Sequence, residues 1–262
     1  MSDTTPPHDI YSIDKSRVRD SFDRAAETYD AAAVLQKFVR TEMLSRLDLV
    51  AMQPTRILDA GCGTGHASAA LMKKYPKAEL VSLDLALRML KKTESVNASL
   101  ANRIKRVFGQ AQQNLLCADI EQLPLADASV DMIFSNLAIQ WCNDLDAAFA
   151  GMHRVLRTDG LLTFSTLGPD TLKELRAASK TDGERVSVSR FFDMHDIGDA
   201  LVRAGFSAPV LDVERVVLTY DDAVDVMRDL KAIGAHNAAD GRGRGLQGRD
   251  FLKKITDRKS VV

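Results

Sequence analysis

The stretch Arg56-Ile57-Leu58-Asp59-Ala60-Gly61-Cys62-Gly63-Thr64-Gly65-His66 leaves few folds open to the chain that carries it. An apolar strand ends in an acid and runs into three alternating glycines, and a helical pattern follows from about Ala67 to Lys74. Glycine has no Cβ and tolerates positive φ, so such a strand–loop–helix unit lets backbone amides come close to a ligand at the carboxyl edge of a sheet. Two readings remain at this point: a nucleotide-type cofactor site, or a glycine-rich turn in an ordinary α/β protein. A dinucleotide is not the expected ligand, because the dinucleotide fingerprint needs a third glycine at position 66, which is histidine.

Acids at later strand ends favour the first reading. Strand two is expected at Glu79–Asp84, and an acid closing the second strand about 20 residues past the loop can take both ribose hydroxyls. Strand three, Leu115–Ala118, runs into Asp119 and Ile120. Strand four, Val130–Ser135, is apolar except at Asp131, as a central parallel strand buried on both faces should be. It delivers Asn136-Leu137-Ala138-Ile139-Gln140-Trp141-Cys142, with the single tryptophan of the chain, to the edge where ligands bind. Gln140 and Trp141 there either touch substrate or pack behind it.

Two helices are expected before strand one, from the spacing of Val18, Phe22, Ala25, Ala26 and Tyr29 and then of Val34, Leu35, Phe38, Val39, Met43, Leu44 and Leu47. They would cap the ligand end of the sheet. Phe22 reads as core packing, whereas the Tyr29 hydroxyl needs a polar partner if buried, which core packing or a ligand carboxylate could each provide. After strand two come a helix at Ala86–Thr93 and a polar stretch, Glu94–Gln113, anchored only by Leu100, Ile104, Val107 and Phe108. After strand four, a helix at Asp144–Leu156 carries His153 on a structural position, and the turn Arg157–Gly160 leads into strand five, Leu161–Thr166. Beyond Ser179 a polar linker, Lys180–Glu184, precedes a helix striped by Met194, Ile197, Leu201 and Val202 and stopped by Gly205. The partly alternating segment from Val210 to Tyr220 reads as an antiparallel edge strand, and Asp221–Ile233 as a helix. The tract Gly241-Arg242-Gly243-Arg244-Gly245 is either a flexible loop or a site for a carboxylate or phosphate.

Composition narrows the function classes. A formal net charge of -1 over 262 residues gives no strongly basic surface for nucleic acid. The polar, proline-containing start is unlike a signal peptide, and no run approaches the ~18 apolar residues of a membrane span. Cys62, Cys117 and Cys142 lie far apart with no Cys-x-x-Cys pair, so they are expected to be buried free thiols in a reducing cytoplasm, not a disulfide framework or a metal site.

The acid two residues ahead of Gly61-x-Gly63-x-Gly65 resembles motif I of the class I S-adenosylmethionine-dependent methyltransferases. The resemblance implies a Rossmann-like α/β fold: a mostly parallel central sheet, helices on both faces and an N-terminal helical lid. It implies that Asp59 helps hold the ammonium group of S-adenosylmethionine while Gly61, Cys62, Gly63 and Gly65 pass under its methionine part. Asp84 and Leu85 would meet the ribose, Asp119 and Ile120 the adenine, with Asn136 also on the cofactor. Further segments that carry a resemblance are Phe22…Tyr29…Gln36 and Leu230-Lys231-Ala232-Ile233-Gly234-Ala235, and the more specific ones are Asn136-Leu137-Ala138-Ile139-Gln140-Trp141 and Gly168-Pro169-Asp170-Thr171-Leu172. From about Ser12 to Ile255 the chain resembles the malonyl-[acyl-carrier protein] O-methyltransferases of biotin synthesis. That resemblance implies methylation of the free carboxylate of a malonyl thioester, carried by acyl-carrier protein or coenzyme A, with Tyr29, Gln140 and Trp141 shaping the acceptor site. It also implies a monomer that needs neither nucleic acid nor membrane. Residues 1–11 are expected as a disordered leader, 12–50 as the lid, 51–179 as the cofactor-binding core and 180–262 as the rest of the same domain. Relative to the family, the final seventh strand is expected to be missing and the sheet less stable for it. A related group that methylates protein arginine, and a cofactor-binding protein without turnover, are the alternatives.

Overall fold

The computed structural model describes residues 12–97, 112–179 and 191–235. The leader before Ser12, the anchors Leu100, Ile104, Val107 and Phe108, the linker Lys180–Glu184 and the Gly241–Gly245 tract lie outside the described residues. Five parallel strands form one sheet in the order β3-β2-β1-β4-β5. They are β1 (Arg56–Ala60), β2 (Glu79–Asp84), β3 (Gln113–Cys117), β4 (Val130–Asn136) and β5 (Leu156–Ser165).

The apolar runs of the central strands are explained by two faces that both need cover. Alternate side chains of one strand enter different cores: Ile57, Leu80, Met132 and Phe134 join one, and Leu58, Val81 and Ile133 the other. The first core is closed by α3 (Val34–Arg46) and α4 (His66–Lys74), through Met43, Ala67 and Leu71. The second is closed by α6 (Leu145–Val155) and α8 (Met194–Arg203), through Phe149, Met152, Ile197 and Leu201. Between these in sequence lie α5 (Leu87–Asn97), after β2, and α7 (Lys173–Ser179), after β5. The N-terminal cap contains three helices rather than two, because α1 (Lys15–Ala25) and α2 (Tyr29–Ala32) are separated and the chain breaks again at Ala33 before α3. A last helix, α9 (Ala223–Ala232), braces this cap, the Thr28 hydroxyl donating to the Ala232 carbonyl at 2.9 Å.

Three further expectations are corrected. Residues 206–220 form no strand, and Val210, Val213 and Val217 are 94%, 78% and 69% exposed. Alternating valines favour extended backbone, but a strand exists only where another backbone pairs with it, and none does among the described residues. The expected turn at Arg157–Gly160 lies inside β5, whose register on β4 jumps from Val130↔Leu156 to Met132↔Leu161, with Asp159 at φ 62 taking up the extra length. Cys117 is exposed rather than buried, since β3 is the edge of the sheet. His153 is structural as expected: it packs edge-on to Phe206 at 5.2 Å, beside Gly205.

Asp131, the one acid inside β4, ties three strands together at the end of the sheet opposite the glycine loop. Its Oδ2 accepts from the Thr55 amide and hydroxyl, both at 2.7 Å, and from the Arg56 amide at 2.8 Å, while Oδ1 takes Arg157 at 2.7 Å. Burial alone would raise its pKa, yet the Thr55 and Arg157 side chains and the two amides outweigh it and hold the group at about 2. A carboxyl depressed in the folded state stabilises it above the unfolded value and ceases to do so as pH falls through the folded value. Acid unfolding monitored by circular dichroism is therefore expected to show a step between pH 4 and 2 that Asp131→Asn removes.

Candidate active site

The chain leaves β1 toward β2 on one side, and β4 leads toward β5 on the other, so the carboxyl ends of β1 and β4 part and leave a crevice. The cleft there occupies ≈ 640 Å³ counting its open mouth, and the lid roofs it with Lys15, Val18, Phe22 and Tyr29. Of the residues expected at the site, Tyr29, Gly61, Gly63, Asp84, Leu85, Asp119, Ile120, Asn136 and Trp141 line it. Asp59, Cys62, Gly65 and Gln140 do not, and all four are buried.

The glycine loop is held from both sides. The amides of Gly61 and Cys62 donate to the Leu83 carbonyl at 2.8 and 2.9 Å, and the Gly63 amide donates to Asp84 Oδ2 at 2.8 Å. A Cβ on Gly61 would lie 2.4 Å from Ala138 Cβ, so only glycine lets the loop after β1 pass under the loop after β4. Cys62 is a buried thiol beside the Thr93 hydroxyl, and burial raises its pKa well above the ordinary thiol value.

Two acids govern the electrostatics. Asp84 accepts the Ala86 amide on Oδ1 at 2.8 Å besides that of Gly63 on Oδ2, which leaves lone pairs on both oxygens. Burial pushes it up to about 6 against the pull of those amides. Asp59 is 1% exposed; burial pushes it up to about 7, against the Ser68 hydrogen bond, with the nearby Asp84 charge adding to the rise. Its Oδ2 accepts from Ser68 Oγ at 2.6 Å, whereas its Oδ1 is buried and has no hydrogen-bond partner.

Ser68 spends its one proton on Asp59, so at their 2.8 Å contact the Ser82 hydroxyl donates to Ser68, and Gln113 Nε2 donates to Ser82 at 2.9 Å. This relay of donors, all aimed at Asp59, is absent from the sequence reading. Its only sequence signal is a serine at an inward position of α4 and another inside β2. Lys15 and Arg40 are likewise additions. Arg40 is a half-buried guanidinium with no ion pair among the described residues; burial lowers its pKa, and Asp30, Tyr29 and Asp59 face it electrostatically.

At the other side of the cleft Asn136 joins lid to sheet, its Nδ2 donating to the Gln36 carbonyl at 3.1 Å and its Oδ1 accepting from Ser165 at 3.1 Å. The next residue, Leu137, sits at φ 51, and Gln140 Nε2 donates to its carbonyl at 2.7 Å. Gln140 thus props the loop from behind. Trp141 meets Phe22 edge-on at 5.3 Å, and Phe22 reaches Tyr29 at 6.4 Å, giving the cleft an aromatic end. Burial, with the Asp84 and Asp30 charges adding to it, pushes the Tyr29 hydroxyl well above the ordinary phenol value, so it is a donor at neutral pH. Among the described residues no group of three or more His, Cys, Asp or Glu could hold a metal ion, and no helix is long and apolar enough to cross a membrane.

A parallel sheet with helices on both faces and a glycine-floored, acid-flanked cleft at the switch point defines a class I methyltransferase. Residues 58–164 match the family described as a methyltransferase domain. An S-adenosylmethionine-dependent methyltransferase of Thermotoga maritima shares the fold at a TM-score of 0.51 and 18% identity, over 72% of this chain and 81% of that one. Among curated relatives, the malonyl-[acyl-carrier protein] O-methyltransferase of Methylovorus sp. (strain MP688) is 65% identical over 95% of this chain and 83% of its own length. That of Laribacter hongkongensis is 57% identical over 94% and 82%. The chain belongs to the malonyl-[acyl-carrier protein] O-methyltransferase family.

Proposed function

We propose that the protein transfers a methyl group from S-adenosylmethionine to the free carboxylate of malonyl-acyl-carrier protein, masking that charge at the start of the chain built for biotin. The support is the 65% identity over 95% of the chain to an enzyme named for this reaction. The residues lining the cleft and those buried next to its glycine loop suit the cofactor. A buried Asp59 oxygen lacks a partner, Gly63 leaves open space beside the cleft, and two acids with raised pKa values stand ready to meet positive charge and hydroxyls. When bound, the cofactor supplies an electrophilic methyl on a sulfonium.

Asp59 answers the ammonium of the methionine part from behind the loop of Gly61, Cys62, Gly63 and Gly65. Asp84 and Leu85 take the ribose, Asp119 and Ile120 the adenine, and Asn136 fixes the cofactor-side wall. The acceptor carboxylate, with an ordinary pKa near ~4, is ionised at neutral pH, so the protein needs no general base. What remains is alignment and the exclusion of water. Phe22, Tyr29 and Trp141 close the aromatic end of the cleft, and Gln140 sets the loop that carries Trp141. Tyr29 donates to an acceptor oxygen without giving up its proton, and Arg40 offers positive charge to a carboxylate brought to that end. We further assign the protein to the cytoplasm, acting as a monomer, with malonyl-CoA as a second acceptor.

The test incubates the protein with methyl-labelled S-adenosylmethionine and, separately, malonyl-acyl-carrier protein, malonyl-CoA and an arginine-rich peptide. Alkali-labile label on the malonyl thioester is the expected result. Label on the peptide alone, or on none of the three, would overturn the proposal.

A further inference from the structure

The start of the lid is pinned to the sheet by side chains that the methyl-transfer reading leaves without a task. The Ile13 amide donates to Asn143 Oδ1 at 2.7 Å, and Asn143 Nδ2 donates back to the Ile13 carbonyl at 2.9 Å. Two residues on, Lys15 enters the cleft wall, its Nζ 3.1 Å from Asp119 Oδ1 and 2.8 Å from Glu121 Oε2. The other Glu121 oxygen accepts the amides of Asn143 and Asp144, so the carboxylate that steadies Lys15 is itself fixed. Burial would lower the Lys15 ammonium, but the hydrogen bond to Glu121 and the surrounding negative charges outweigh it and keep the group charged.

At Asp119 both donors, Lys15 Nζ and the Glu121 amide, converge at 3.1 Å on Oδ1, and neither uses Oδ2. The side chain is 25% exposed and lines the cleft. We propose that Lys15 is a positioning residue that sets the base selectivity of the cleft: by engaging Asp119 Oδ1 it presents Oδ2 alone, an acceptor, to the exocyclic amine of a 6-aminopurine. This rests on the assignment of Asp119 to the adenine. A carboxylate can only accept, so an amine at purine C6 pairs with Oδ2, while a 6-oxo purine sets one acceptor against another. Without the ammonium only the Glu121 amide holds Oδ1, so the Asp119 carboxylate can turn, and Oδ2 is no longer fixed toward the base edge where it separates an amine from a carbonyl. Lys15 thus sharpens selectivity without touching the base.

Calorimetric binding of S-adenosylhomocysteine and of its 6-oxo analogue, S-inosylhomocysteine, to the wild type and to Lys15→Met, Lys15→Arg, Glu121→Gln and Asp119→Ala tests this. The wild type is expected to favour the adenosyl ligand by about 100-fold or more, and Lys15→Met to cut that ratio by about tenfold, with Lys15→Arg restoring it. A merely structural role would weaken both ligands equally and leave the ratio unchanged. An unchanged ratio in Lys15→Met, with Asp119→Ala abolishing the preference, overturns the role of Lys15 alone. If Asp119→Ala keeps the preference, the assignment of Asp119 fails, and the inference with it. Should Lys15→Met not fold, Glu121→Gln, which loosens the grip on Lys15 but keeps an oxygen for the two amides, is expected to lower the ratio several-fold, and no change there overturns the role.

Discussion

Replacing Gly65 with alanine is expected to lower the melting temperature by roughly 5–15 °C, corresponding to about 2–4 kcal/mol for a chain of this size. Gly65 holds φ +86, which costs an L-residue about 1–2 kcal/mol. The added methyl would also lie 2.7, 2.8 and 2.9 Å from Thr93 Cγ2, Cα and Cβ. Thr93 is fully buried, and its hydroxyl donates to the Gly63 carbonyl at 2.9 Å, so α5 cannot retreat without losing its bond to the loop. Gly63→Ala makes the contrast. Its φ is +56, but nothing lies within 4 Å of the Cβ it would gain, and the methyl would enter the cleft. The expected outcome is a loss of only about 1 kcal/mol with a larger loss of cofactor affinity. Thermal melts of both variants beside S-adenosylhomocysteine titrations check this, and equal destabilisation by the two substitutions would show that contact with α5 does not constrain the loop.

Asp59→Asn should act in the opposite sense on folding and binding. An acid raised to about 7 keeps, in the folded state, a proton that the unfolded chain releases near pH 4. Stability without ligand therefore declines as pH rises from about 4 to about 7 and is level above that. Asparagine removes the charge and still accepts from Ser68, so at pH 8 the variant is expected to melt at or above the wild-type temperature. Binding pays the difference. A ligand ammonium group near Asp59 favours the ionised form, so the wild type should bind S-adenosylhomocysteine more tightly as pH rises from 6 to 8 and should release a proton on binding. The variant is expected to bind at least about tenfold more weakly at pH 8, with a flat pH profile. Titrations in buffers of different ionisation enthalpy measure the proton directly. A variant that keeps wild-type affinity and slope would remove Asp59 from cofactor recognition.

Much of this protein is legible in single stretches of its sequence. The strand–glycine–helix unit at Arg56–Lys74, the acids Asp59, Asp84 and Asp119 at strand ends, and the largely apolar runs of β2 and β4 announce a parallel α/β sheet with a cofactor edge. Each depends on chemistry within a few residues: which side chains alternate, where φ can be positive, where an apolar run meets a charge. The valines from Val210 onward show the limit of such reasoning, because extended backbone is a local property and strand pairing is not.

Tertiary structure decided the rest. Lys15 and Asp119 lie 104 positions apart, and Ser82 and Gln113 lie 31 apart, yet each pair meets at hydrogen-bonding distance. Nothing in the composition of the lid says that its first lysine reaches Asp119, nor that two serines and a glutamine aim their protons at Asp59. Those contacts follow from the register of β2 on β3 and from the docking of α1 and α3 over the sheet. Burial, which pushes Asp59 and Asp84 up, likewise exists only once both faces are covered. The sequence by itself determined the succession of strands and helices and the kind of ligand edge they build; packing alone determined the order of strands in the sheet, which acids have raised pKa values, which are orphaned and which cations they face, because solvation and long-range contact are properties of the folded whole.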